Sequence, residues 1–346
     1  MDVRLSPEQV ALRDSAAQAV DRLGLHAVAD LDDAERAAKL DAAVSASGWR
    51  ELRTASDDGS PWASVVEVAV VAEALGRGLA DAAFLGPTLA AELRRLAGAP
   101  PAARLETVVL TSDLVEPACA GHDVVPAGGV AVDARGAATA LILVGGRRDS
   151  WSLGEVTLAG DAGGVDLTRP AVACGNASVT ALDGAEPLPD EALTRWRSLG
   201  LAVTCADLVG VMHGAVTLAA DYARARKQYG AAIGSFQAVQ HLLADALVAM
   251  EGSRSIALHA AWAVDALPAG DALTAAAAAK AYCTRSARSV CETAIQVHGG
   301  IGNTWECLAH VYLRRALLSG DVFGGVGINL ERVLVAHDAG GPDGLR

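Results

Sequence analysis

The chain has 346 residues, too many for one ordinary core, so two or three domains are expected. Its net charge of −13 argues against nucleic-acid binding, although local arginines can still hold an anionic ligand. Hydrophobic residues make up 52% of it, mostly alanine at helical spacing. No uncharged apolar run reaches the length of a membrane span, and no membrane insertion is expected.

Ser6-Pro7-Glu8-Gln9 reads as a helix start: a capping serine, proline at the first helical position and glutamine at the third. No basic start followed by an apolar core precedes it, so no secretory leader is expected. Helical patterning continues to about residue 98, with breaks near Gly48 and Asp57–Pro61. Val65–Leu75 and Thr88–Leu96 read as helices of a small bundle. The Ala-Gly-Ala-Pro-Pro stretch at 97–101 marks a boundary.

From 105 to 185 the texture changes. Short runs such as Thr107–Leu110, Ala140–Val144 and Val156–Leu158 are punctuated by Gly, Asp and Pro, which predicts short strands. Helical texture returns after Pro187-Leu188-Pro189. Val239, Leu242, Leu243, Ala246, Leu247 and Met250 form one apolar stripe, as do Ala287, Val290, Ala294 and Val297. Between these stripes, Ala275–Ala279 is a strong helix former. Two long stripes predict antiparallel helices in a bundle. The expected domains are thus 1–101 (helical), 102–188 (β) and 189–346 (helical).

Six cysteines, Cys119, Cys174, Cys205, Cys283, Cys291 and Cys307, form no C-x-x-C pair and no Cys/His cluster of zinc spacing. No metal site is expected, and a reducing cytoplasm suits them as small buried residues.

Two segments carry chemistry. Gln296-Val297-His298-Gly299-Gly300-Ile301-Gly302-Asn303-Thr304-Trp305-Glu306 reads as a helix stopped by a double glycine, a tight loop, and a carboxylate at the mouth of the next helix. One oriented carboxylate can abstract a proton beside a carbonyl; an acidic first-turn residue is the bland alternative. Residues 222–241, Tyr-Ala-Arg-Ala-Arg-Lys-Gln-Tyr-Gly-Ala-Ala-Ile-Gly-Ser-Phe-Gln-Ala-Val-Gln-His, are the second segment.

This second segment closely resembles the helix–turn–helix signature of acyl-CoA dehydrogenases. The Gly299–Glu306 loop, followed by His310, Tyr312, Arg314 and Arg315, resembles that family's second C-terminal signature. The likeness is strong over 196–320, fair over 5–100 and weak over 105–190. It implies a mainly α fold with a central β domain: an N-terminal helical domain, a β-barrel-like middle domain and a C-terminal four-helix bundle. It also implies FAD as cofactor and an acyl-CoA substrate, with the electron acceptor left open. In that family a carboxylate removes the α-proton of the thioester while flavin N5 takes the β-hydride.

By resemblance Glu306 holds the base position, and Gly200 falls where some members carry their base on another helix. Arg226 matches the arginine that reaches the FAD pyrophosphate, a task its planar fork suits; the alternative is a surface arginine paired with Asp221. Gln228 belongs to the turn that follows. Gln237 and Gln296 match amides at the adenosine end of FAD, and Gly299 and Gly300 let the backbone approach it. In the family these elements contact the neighbouring subunit's flavin, so a homo- or hetero-oligomer, dimer or tetramer, is expected. Arg314 and Arg315 read either as support for CoA or flavin phosphates or as a solvated helix end, and His298 and His310 as packing or surface residues with no visible partner.

The middle domain departs from the family. Glu116-Pro117-Ala118-Cys119-Ala120-Gly121-His122 is a distorted echo of the Thr-Glu-Pro-x-x-Gly-Ser segment that grips a subunit's own flavin ring. A Trp-Ile-Thr-like segment has no counterpart, and Phe323-Gly324-Gly325-Val326-Gly327 replaces a Gly-Thr-Ser-Glu-like turn without its hydroxyls. Residues for a neighbour's flavin are kept while those for the chain's own are eroded. That pattern resembles the unequal subunits of bacterial heteromeric acyl-CoA dehydrogenases, often acting on bulky acyl chains such as sterol side chains. A catalytic flavoenzyme and a non-catalytic subunit completing a partner's FAD site are the two readings.

Overall fold

The computed structural model describes residues 4–121, 124–145, 150–160 and 163–339; His122 of the distorted echo lies outside them. The first helix, α1 (Pro7–Leu23), starts as expected. The Ser6 hydroxyl accepts the Gln9 amide at 3.2 Å, and the Gln9 side chain accepts the Ser6 amide at 3.0 Å. α2 (Ala34–Ala46) ends two residues before Gly48, whose φ of 66° lets the chain turn. α3 (Val65–Arg77) is buried on most of its surface.

α4 runs Leu85–Leu96, three residues earlier than the sequence pattern suggests. The reason is a distant cap. One carboxylate oxygen of Asp133 accepts the backbone amides of Phe84 (2.8 Å) and Gly86 (3.2 Å), satisfying donors at the helix start.

Five principal strands follow: β1 (Glu106–Leu110), β2 (Cys119–Ala120), β3 (Val130–Val132), β4 (Thr139–Gly145) and β5 (Ser150–Thr157). Three further short ones, β6 (Val172–Ala173), β7 (Thr180–Ala181) and β8 (Leu188–Pro189), complete the sheet in the order β6-β3-β1-β4-β5-β7. β2 also pairs with β4, and β8 with β5. One stretch of chain supplies both outer strands: β6 lies on β3 and β7 on β5. The sheet therefore curls back on itself in the manner of a barrel. Alternation along its strands feeds two cores. Val109, Ala140 and Ile142 face a small core inside the sheet, whereas Val108, Leu110, Leu141 and Leu143 join the large core shared with the helices.

The C-terminal part holds α5 (Asp190–Ala225), α6 (Gln237–Ala266), α7 (Ala269–His298), α8 (Ala309–Asp321) and α9 (Val326–Ala339). α7 is the central member, packed against the other four. By length and composition α5 could cross a membrane, but 89% of its apolar window is buried inside the protein. The α7 stripe Ala287, Val290, Ala294 and Val297 is buried throughout. The α6 stripe is only half covered: Ala246 and Met250 are buried, while Leu242 and Leu247 are 39% and 47% exposed.

A charged knot lies where the helices and the sheet meet. Asp207 of α5 accepts Arg315 at 2.6 and 3.1 Å and the Ser319 hydroxyl at 2.6 Å, and pairs with Arg169 at 3.3 Å. Arg315 also donates to the Ala80 carbonyl and to Thr168. Arg315 thus neither supports a phosphate nor caps a solvated helix end. It is 3% exposed and ties helical and sheet segments together.

Candidate functional site

The two chemistry-bearing segments meet at one end of the helical bundle. α5 and α7 run in the same direction, and their last turns are pinned by Tyr222 stacking on His298, ring centroids 4.5 Å apart. Beyond Tyr222 the chain leaves the helix at Arg226 and forms a small hairpin, β9 (Lys227–Gln228) with β10 (Ala231–Ala232). Its turn residues Tyr229 and Gly230 both have positive φ, 51° and 80°, as a two-residue hairpin of this hand requires. The Ile233 amide then donates to the Arg226 carbonyl at 2.8 Å, and α6 begins at Gln237.

α7 ends as expected at the double glycine, where Gly299 has φ 68°. A Cβ added at Gly299 or Gly300 would meet nothing within 4 Å, so the backbone here is open to an approaching group. Glu306 is not at a helix mouth. Thr304 closes a turn by accepting the Glu306 amide on its hydroxyl (3.3 Å) and the Cys307 amide on its carbonyl (3.2 Å), and α8 starts only at Ala309. Glu306 therefore stands on the loop, exposed.

Charge at this end is unspent. Asp221 pairs with Arg224 at 2.6 Å, not with Arg226. Among the described residues the guanidinium of Arg226, the amides of Gln237 and Gln296 and the carboxylate of Glu306 have no side-chain partner. Gln228 turns its amide onto the Lys227 carbonyl at 2.7 Å. All of these side chains are exposed. The arrangement is a face with a free cationic fork, free amides and bare glycine backbone, which can hold a phosphate-bearing group.

His298 has the partners its sequence context conceals. Besides Tyr222, its Nδ1 lies 2.7 Å from the Ala294 carbonyl, and the Cys307 thiol is a neighbour that favours its charged form. Burial opposes charging of the ring, but Cys307 and the Ala294 carbonyl outweigh it and raise its pKa. His310 is buried with its ring edge against Trp305 at 5.0 Å, and burial lowers its pKa. Arg314 lies 6.0 Å from the same indole and donates to the Val165 carbonyl at 3.4 Å.

Deeper in the bundle, Gly200 faces the ring of Phe323, which also packs edge-on against Trp196 at 5.5 Å. Phe323 is 1% exposed and held at a positive φ of 63°. Its amide donates to the Leu114 carbonyl at 2.7 Å, and Asn329 and Arg332 donate to its carbonyl. Glu116, the acid of the distorted echo, accepts Arg332 at 2.8 Å and so serves as a tie between sheet and α9. The sequence reading names Phe323 and Arg315 but not what they pack against, and it misses Asp207. The one available signal was a lone Asp207 inside an apolar helical run.

A sequence profile for the acyl-CoA dehydrogenase C-terminal domain matches residues 199–334. Acyl-CoA dehydrogenase FadE34 of Mycobacterium tuberculosis is 40% identical over 146 residues, covering 42% of this chain and 20% of that one. The match therefore spans a fifth of that relative's length. Acyl-CoA dehydrogenase IpdE2 of the same organism is 32% identical over 259 residues, covering 75% of this chain and 73% of that one. In fold the chain is similar to a structure of the ChsE4-ChsE5 complex from Mycobacterium tuberculosis, with a TM-score of 0.76, 23% identity and coverage of 98% and 99%.

Proposed function

Because the chain belongs to the acyl-CoA dehydrogenase family, whose members are FAD-dependent oxidoreductases, we propose that it takes part in α,β-dehydrogenation of an acyl-CoA thioester and that its bundle end binds FAD. The supporting observation is the set of free polar groups there. Arg226 would grip the pyrophosphate bidentately, Gln237 and Gln296 would meet the adenosine end, Gln228 would frame the turn, and Gly299 and Gly300 would admit the cofactor's edge. Bound FAD supplies the hydride acceptor. These groups lie on an exposed face, so a second subunit would have to enclose the cofactor from the other side. That requirement favours an oligomer.

Glu306 is this chain's candidate for the α-proton base. Its carboxylate has no side-chain partner among the described residues, and it stands on the same end as the proposed FAD contacts. A second reading gives the base to a different partner chain and leaves this subunit to complete that partner's FAD site. Phe323 favours it, because its ring fills the space in front of Gly200 where a reacting acyl group in this chain's own bundle would need room. The name of the similar ChsE4-ChsE5 complex describes two different chains together, which agrees with it.

The test is flavin absorbance of the chain purified alone and with the product of a neighbouring gene. We expect stoichiometric flavin only in the mixed assembly. A stoichiometric FAD homomer would exclude the mixed arrangement, and no flavin in either preparation would exclude the proposed cofactor site.

A further inference from the structure

A second site lies away from the bundle end. A cavity of about 450 Å³ opens between α2, α4 and the linker at 97–105, within the size range of small-molecule sites. None of the proposed FAD contacts lines it. Four arginines do, Arg50, Arg94, Arg95 and Arg104, against three carboxylates, Asp41, Glu51 and Glu106.

The arginines are held in place. Arg94 is gripped by Glu106 at 2.7 and 2.8 Å and by the Pro100 carbonyl at 3.0 Å. Arg95 is gripped by Glu92 at 2.7 and 2.8 Å. Arg50 is only 7% exposed; among the described residues it donates to the Ala83 carbonyl (2.7 Å) and to Asp41, and its Nη1 has no partner. Arg104, which is exposed, has no side-chain partner among the described residues. Both guanidinium groups line the cavity and can donate to an acceptor held in it. The facing wall of α4 is apolar at Pro87, Ala90 and Ala91.

We propose that this cavity binds a small amphipathic organic anion with one carboxylate. The carboxylate is clamped between Arg50 and Arg104, and the apolar body lies along α4. A single charge is specified because Asp41, Glu51 and Glu106 would repel a second.

The experiment is calorimetric titration of the assembled protein with octanoate and with octylamine. Octanoate should saturate at one per chain, and octylamine should not bind. Arg104→Ala should weaken octanoate about tenfold, the loss of one charged hydrogen bond, with an unchanged melting temperature, since Arg104 is exposed and unpaired. Ala91→Trp, which fills the cavity, should abolish binding. Absence of saturable octanoate binding, equal binding of octylamine, or wild-type octanoate affinity in both variants would each overturn the proposal.

Discussion

A side chain on Gly200 and the ring of Phe323 would compete for one space: a Cβ on Gly200 would lie 2.3 Å from Phe323 Cε2 and 2.4 Å from Cζ. The Phe323 ring has little room to move, because it is 1% exposed and packed edge-on against Trp196, on a backbone held by Leu114, Asn329 and Arg332. Gly200→Ala should therefore destabilise the protein by about 1–3 kcal/mol, the cost of overpacking a dense interior. Pairing it with Phe323→Leu should recover part of that loss, since the two changes share one space. Urea denaturation of the single and double variants reads this directly. Strict additivity would mean that the two residues do not contact.

Arg226→Ala should leave stability within about 0.5 kcal/mol, as for most exposed positions. Its guanidinium has no partner among the described residues. Flavin retention should fall. Thermal melting and bound-flavin absorbance of the same preparation separate the two effects, and normal flavin occupancy would remove Arg226 from the cofactor site.

Glu306→Gln preserves size and should not disturb the loop, whose turn is closed by Thr304 rather than by the Glu306 carboxylate. If Glu306 is the base, anaerobic reduction of the flavin by an accepted acyl-CoA should slow by about a hundredfold to ten-thousandfold. Near-normal reduction in the variant would assign the base to the partner chain.

Lys280 on α7 is completely buried, and its ammonium donates to the Ser319 carbonyl. Burial pushes its pKa down from 10.5 to about 8. Below about pH 8 both folded and unfolded forms hold the proton. Between about 8 and 10.5 the folded state releases it while the unfolded state keeps it, so this residue makes the protein more stable as pH rises through that window. Urea midpoints of wild type and Lys280→Met should therefore diverge in favour of wild type from pH 8 upward. Parallel midpoints would show that Lys280 does not titrate there.

Sequence by itself determined those features whose forces act over a few residues. The Ser6–Gln9 capping box starts α1, the double glycine stops α7, and short β-rich runs became β1, β4 and β5, because hydrogen bonding and side-chain period are local there. The fold class followed from the order of such elements together with the two motifs, and the motifs also brought Arg226, Gln237, Gln296, Gly299, Gly300 and Glu306 into view. Only the tertiary structure decided how far those side chains are free. Asp221 could have taken Arg226 but took Arg224 instead. The start of α4 depends on Asp133, 47 and 49 positions away from the amides it caps. Arg315 became a buried tie because Asp207, 108 positions earlier, meets it across the bundle. Half of the α6 stripe stays exposed because no other element among the described residues covers it. Pairings of this kind depend on where distant segments meet in space, and helix propensity, capping and periodicity hold no information about that distance.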